Sequence, residues 1–167
     1  MNILELIKIN KWFDQNHILR DVSINFSKGK IHGITGENAS GKSTLIKIIS
    51  GVLEKDSGTI IFRNSDGAII SNNRNSINTV YQEINLFDKM TIFDNMFLNR
   101  KISFKFKQKL YDQYYNIMNT YNLHFNPKRK VGDLGAGEKR ILEIVKATLN
   151  NPEILILDEP TAFFLSG

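Results

Sequence analysis

The stretch Gly36-Glu37-Asn38-Ala39-Ser40-Gly41-Lys42-Ser43-Thr44 keeps the spacing G-x-x-x-x-G-K-[ST] at every position, and it narrows the possible fold more than any other part of the chain. Before it, Lys30 to Thr35 predicts a short buried strand; after it, Leu45 to Ser50 predicts a mostly buried helix that Gly51 stops. Strand, glycine loop and helix in that order make a phosphate cradle. Gly36 and Gly41 allow a tight turn that brings backbone N–H groups against an anion, and the helix N-terminus adds its partial positive charge. The pattern assigns Lys42 to the β- and γ-phosphates and the Ser43 hydroxyl to Mg2+. A plain strand-to-helix turn also fits this loop taken alone, so the rest of the chain has to decide.

A chain of 167 residues, 41% of them hydrophobic, suffices for one domain with a sizeable core and falls short of two. It has no apolar run of about 18 residues and no secretory leader, which leads us to expect a soluble, cytosolic protein. The absence of cysteine excludes disulfides, thiolate metal sites and a cysteine nucleophile. The net charge of +5 is spread along the chain instead of clustered, so a nucleic-acid partner is not expected.

Ile3 to Ile9 and Ile18 to Phe26 read as two strands, the second alternating Val22, Ile24 and Phe26 with Asp21, Ser23 and Asn25. They suggest an antiparallel layer. Trp12 to Asn16 reads as a polar loop between them whose two aromatics either stack on a purine base or pack beneath the loop, the packing reading being preferred for Trp12. Thr59 to Arg63 and Thr79 to Tyr81 are further strands, the latter ending at Gln82, and Asn72 to Asn78 is a loop. From Thr91 to Leu98 and from Phe106 to Leu123 the apolar spacing turns helical, with Leu110, Tyr114, Ile117, Met118 and Tyr121 on one stripe. This stripe reads as core or docking face. His17 and His124 are lone loop histidines and His32 belongs to the strand before the cradle, so none has metal-ligand spacing.

Asp133 to Arg140 is a small-residue turn feeding a helix with Leu142, Val145 and Leu149 on its apolar face, and that helix start is either bland or an anion acceptor. Ile154 to Leu157 is a continuous apolar run of the sort buried on both faces. Two carboxylates follow at once. Next to a phosphate cradle, Asp158 is assigned to the Mg2+ shell and Glu159 to the water that attacks the γ-phosphate.

Taken together, the cradle, Gln82 after a strand, the helical insert, the Leu134 to Glu138 turn and Ile-Leu-Ile-Leu-Asp158-Glu159-Pro160-Thr161 resemble an ATP-binding-cassette ATPase domain, the motor of ABC transporters. The likeness runs from about Ile3 to Ala162. It implies an α/β fold: a P-loop NTPase core with a parallel sheet, an N-terminal antiparallel β layer and a helical insert from about residue 91 to 150, in a single domain over residues 1–167 that is incomplete at its C-terminus. The resemblance also implies ATP and Mg2+ as cofactors. It puts Phe13 against adenine and Gln82 near Mg2+ and the attacking water, and it places Leu134, Gly135, Ala136, Gly137 and Glu138 where the signature LSGGQ stands. Gly36 to Thr44 then hold the phosphates, with Lys42, Gln82 and Glu159 as the catalytic set and Ser43, Gln82 and Asp158 around the metal. Implied partners are a second cassette, homologous or identical, and a transmembrane permease gripped by the insert, on the inner face of the membrane. The wording at Gly33 to Asn38, Tyr81 to Leu86 and Glu143 to Ala147 is similar to the first cassette of ribose- and galactose-type importers.

Two departures stand out. Gly135 replaces the signature serine, and the chain stops six residues after Thr161, before the later strands and the switch histidine of the family. One expectation is therefore an ATPase subunit of a sugar importer, and the other is a truncated cassette that binds nucleotide weakly and catalyses nothing. A soluble ABC ATPase of repair or translation fits the importer wording less well.

Overall fold

The computed structural model describes residues 1–64, 66–70, 76–98 and 104–160. Thr161 to Gly167, where the sequence places the last expected loop, and most of the expected 72–78 loop lie outside the described residues. The chain divides into two compact units. One comprises Met1–Thr79 and Asn151–Asp158, the other Val80–Asn150 with Glu159–Gly167.

In the first unit, β1 (Asn2–Phe13) and β2 (Asn16–Ser27) form a hairpin closed by Asp14 and Gln15. β3 (Ser57–Arg63) and β4 (Ile69–Ile70) extend it into an antiparallel sheet of order β2-β1-β3-β4. The expected alternation holds in β2, where Val22, Ile24 and Phe26 are half-buried and Asp21, Ser23 and Asn25 are exposed. β1 breaks its alternation at Lys8, which has φ 48°, and the register slips on both sides. β3 crosses this bulge at Gly58, whose φ is +93° and where a Cβ would come within 2.2 Å of the Lys8 carbonyl oxygen. Glycine is required there on both counts.

The helix α1 (Lys42–Ile49) buries Leu45, Ile46, Ile48 and Ile49. Of these, Leu45, Ile48 and Ile49 share a core with Ile3, Leu4, Leu6, Ile9 and Leu19 of the hairpin. Its end is a Schellman motif: the Val52 N–H donates to Lys47 O at 2.9 Å and the Gly51 N–H to Ile48 O at 3.1 Å, with Gly51 at φ 74°. The stop expected at Gly51 is thus formed. β5 (Ile77–Val80) and β6 (Ile154–Leu157) make a second, parallel sheet, joined by the long crossover that parallel strands need.

Two expectations about strands are corrected. Residues 31–37 form no strand and every one of them is exposed, Ile31 completely. An apolar run marks a segment that suits a strand, but the strand itself needs a neighbour to bond, and among the described residues none pairs with 31–35. His32, taken for a member of that strand, is exposed and accepts the Ser27 N–H at 2.9 Å on Nε2. β6 is buried on one face only. Ile154 and Ile156 pack into the core, whereas Leu155 and Leu157 are 37% and 38% exposed.

The second unit is helical. α2 (Ile92–Met96) is capped by the Thr91 hydroxyl, which accepts the Asp94 N–H at 3.1 Å. Within α3 (Phe104–Thr120) and α4 (Ala136–Thr148), Leu110, Tyr114 and Met118 face Leu142 and Val145 in one core with Phe93 and Phe97. Tyr121, assigned to the same stripe, lies past the end of α3 and is exposed. No helix among the described residues is long and apolar enough to cross a membrane.

Candidate functional site

The glycine loop is shaped by backbone constraints that explain its spelling. Ala39 has φ 62° and the Ser40 N–H closes a turn on Glu37 O at 3.3 Å. Gly41 then takes φ +94°, and a Cβ there would lie 2.8 Å from the Leu19 side chain and 3.2 Å from that of Ile18. This close approach to β2 under a left-handed φ admits glycine alone. At Gly36 the demand is weaker, since a Cβ would stand 2.8 Å from the Ser40 Oγ, the end of an exposed side chain that is free to turn away.

Residues Gly36 to Ser40 and Ser43 are exposed, with Lys42 and Thr44 half-buried. The Lys42 ammonium folds back over the loop, donating to Gly36 O at 2.8 Å and Glu37 O at 2.7 Å. No side chain caps α1 and no acidic residue occupies its first turn. The loop therefore presents an ammonium, a hydroxyl and the first helical N–H groups on one open surface, a donor set made for an anion.

At the turn end of the hairpin, Phe13 is the last residue of β1, 46% exposed, with the Lys11 ammonium 5.7 Å from its ring centroid. Trp12 does not pack beneath a loop as preferred from the sequence. It is 40% exposed and stacks on His17 at 3.9 Å, because β1 and β2 continue to a two-residue turn and put the rings on paired strands. His17 is accordingly a strand residue, its Nε2 2.8 Å from Asn10 Oδ1. Asp56 anchors this end: the Lys11 ammonium donates to it at 2.8 Å, and this hydrogen bond, helped by the Trp12 N–H, holds its carboxyl below the usual carboxylate range.

Asp158 follows β6 directly and is half-buried. It belongs to the same unit as the glycine loop, and Ile154 and Ile156 of β6 share the core that seats α1. Gln82, the Leu134 to Glu138 turn and Glu159 belong to the other unit.

In that unit Gln82 is exposed, just past β5, on a loop without regular structure. Side chains supply what a ladder would. The Asn85 N–H donates to Glu143 Oε1 at 2.7 Å, and Arg140 Nη1 donates to the Tyr81 carbonyl. The fully buried Asn95 accepts the Phe87 N–H at 2.8 Å and donates to Phe87 O at 2.9 Å. Lys139 pairs with Asp88 at 2.8 Å.

The signature-like turn buries Leu134 and sets Gly135 at the N-cap of α4. The Gly135 N–H donates to Glu138 Oε2 at 2.9 Å, half of a capping box, since glycine has no side chain to return the bond. Arg129 Nη1 lies 3.1 Å from Glu138 Oε1, and the Gly135 N–H first, then Arg129, pulls the Glu138 carboxyl below its usual range. Glu159 is exposed at φ 47°, and its carbonyl accepts from Arg140 Nη2 at 3.5 Å.

Arg140, Glu143 and Asn95 were not singled out from the sequence. Charged residues on a helix ordinarily mark its wet face. The available signal was the opposite-charge spacing of Arg140 and Glu143, three apart on the flank of the Leu142 and Val145 stripe.

One unit with an open glycine loop at the start of a helix seated on an antiparallel layer, and another that is helical and carries a capped glycine turn, are the parts of an ATP-binding-cassette domain. The ABC transporter family profile matches residues 19–162, and the chain belongs to that family. It is 36% identical over 166 residues to the galactose/methyl galactoside import ATP-binding protein MglA of Salmonella typhimurium (strain LT2) and to that of Escherichia coli (strain K12). Each alignment covers 96% of this chain and 33% of the relative, so the chain spans about a third of their length. Among solved structures, the ADP conformation of MJ1267, an ATP-binding cassette of an ABC transporter, superposes with a TM-score of 0.79 at 29% identity, covering 97% of this chain and 70% of that one. The family resemblance read from the motifs is borne out, down to the kinship with sugar importers.

Proposed function

We propose that the chain is the ATP-binding part of an importer motor that binds Mg-ATP and couples its hydrolysis to uptake of a sugar. The observation that carries this reading is the glycine loop, in which Gly41 is sterically obligatory and the Lys42 ammonium lies over the turn. Such a loop fits a triphosphate. The oxygen donors of Ser43, Gln82 and Asp158 are the hard ligands that Mg2+ takes, and in a bound complex the metal would neutralise charge on the β- and γ-phosphates.

In this reading Phe13 stacks on adenine, Lys42 exchanges its carbonyl partners for phosphate oxygens, and Gln82 orients the attacking water while Glu159 accepts its proton. The 134–138 turn presents the N-terminal N–H groups of α4 to nucleotide held by a second cassette. Because Gly135 has no hydroxyl, that contact is weaker by about 1–3 kcal/mol, one hydrogen bond to a charged group. The partners are that second cassette and a membrane permease docked on the helical unit, with the complex on the inner face of the membrane.

Lys42→Ala removes the ammonium and leaves the turn. Since a hydrogen bond to a charged group contributes roughly 1.5–3 kcal/mol, Mg-ATP affinity falls about tenfold or more in this variant, read by titration with a fluorescent ATP analogue. Unchanged affinity would count against the motor reading.

A second reading is a cassette that binds nucleotide weakly and does not hydrolyse it. The segment 31–35 ahead of the cradle is exposed and pairs with no strand among the described residues, and this favours it. Steady-state hydrolysis compared with Glu159→Gln separates the two: a clear drop in the variant supports catalysis, and equal background rates support the inactive cassette.

A further inference from the structure

We propose that Arg140 and Glu143 are positioning residues for Gln82, fixing the loop that carries it and the bend at Glu159 to the helix of the signature-like turn. The proposal rests on the assignment of Gln82 to the Mg2+ and γ-phosphate end of the nucleotide. Arg140 is completely buried and Glu143 nearly so, at 7% exposure, and they pair at 3.1 Å. A buried ion pair adds little net stability over apolar residues of the same size, so stability alone does not account for it.

What the pair does with its remaining hydrogen bonds is specific. Arg140 donates to the carbonyl just before Gln82, at Tyr81, and at 3.5 Å to the carbonyl of Glu159 itself. Glu143 accepts the Asn85 N–H at 2.7 Å on the other side of Gln82. Gln82 is thus bracketed on a loop that has no ladder of its own, and both brackets come from one turn of α4. The same guanidinium reaches the main chain of the carboxylate assigned to the attacking water. A shift of α4 therefore moves the glutamine and the carboxylate bend together, which ties the turn that serves a second cassette to the groups that serve this one.

The test is the preference for Mg-ATP over Mg-ADP, because Gln82 serves the end of the nucleotide that ADP lacks. Arg140→Lys keeps the charge, but a single ammonium cannot span Tyr81, Glu143 and Glu159. Outer-shell changes of this kind cost about 10- to 100-fold, so Mg-ATP affinity falls about tenfold while Mg-ADP affinity stays within about twofold, and the Asn85 amide exchanges faster with deuterium. Gln82→Ala loses the same preference with Asn85 exchange unchanged. Glu143→Gln, which still offers an oxygen to Asn85, retains more of the preference than Arg140→Lys.

Wild-type preference in folded Arg140→Lys and Glu143→Gln would overturn the proposal, and so would an equal loss of both nucleotides. If both variants fail to fold, the pair is a packing element and the positioning role is rejected. Failure of the underlying assignment looks different: either Gln82→Ala keeps full preference, or the wild-type chain binds neither nucleotide.

Discussion

At the scale of single residues, Glu138 shows how a charge holds the signature-like turn. Its carboxylate accepts the Gly135 N–H and pairs with Arg129, and both favour the ionised form. The folded pKa therefore lies below the unfolded one, near 4.5, so the stabilising contribution is complete above that value and drains as pH falls through the lower folded one. We expect the stability difference between wild type and Glu138→Gln, measured by urea unfolding, to shrink on acidification through the carboxylate range. A difference that stays constant from neutral pH to well below that range would remove Glu138 from this role.

At the scale of elements, the loop between β5 and α2 owes its shape to side chains, and Asn95 is the clearest of them. Its amide bonds Phe87 N, Phe87 O and, at 3.1 Å, Thr91 O in a fully buried position. Asn95→Ala strands those backbone groups and destabilises the second unit by about 2–3 kcal/mol, read by chemical denaturation. A loss below about 0.5 kcal/mol would mean that water replaces the amide. What was legible beforehand follows from what is local. The stripe of Leu110, Tyr114 and Met118 announced α3 because helix periodicity is written within one segment, and Gly51 announced the end of α1 for the same reason. The segment 30–35 and the outer face of β6 were misjudged because burial and pairing depend on neighbours elsewhere in the chain, which an apolar run does not specify. Arg140 and Asn95 were invisible for a related reason: their partners are main-chain atoms of a distant or irregular loop, and no spacing rule points there.

At the scale of the whole molecule, each unit has its own core, and the probes that report on them differ. Trp12, the single tryptophan, sits on the hairpin of the first unit, whereas α2, α3 and α4 place most of the described helix in the second. Tryptophan fluorescence and far-ultraviolet circular dichroism thus follow different units through the same thermal melt. The glycine loop lies in the fluorescent unit, seated by the core that α1 shares with β1 and β2. A ligand bound only by the folded state adds about 2.7 kcal/mol at one hundred times its Kd. Mg-ATP at that excess should therefore raise the fluorescence midpoint by several degrees and the dichroism midpoint by less, and Lys42→Ala, at the same nucleotide concentration, should cut both shifts by about half or more. Equal shifts by the two probes would show that the units unfold as one body. No shift in either would leave the glycine loop without a nucleotide to hold, and the motor assignment would fail with it.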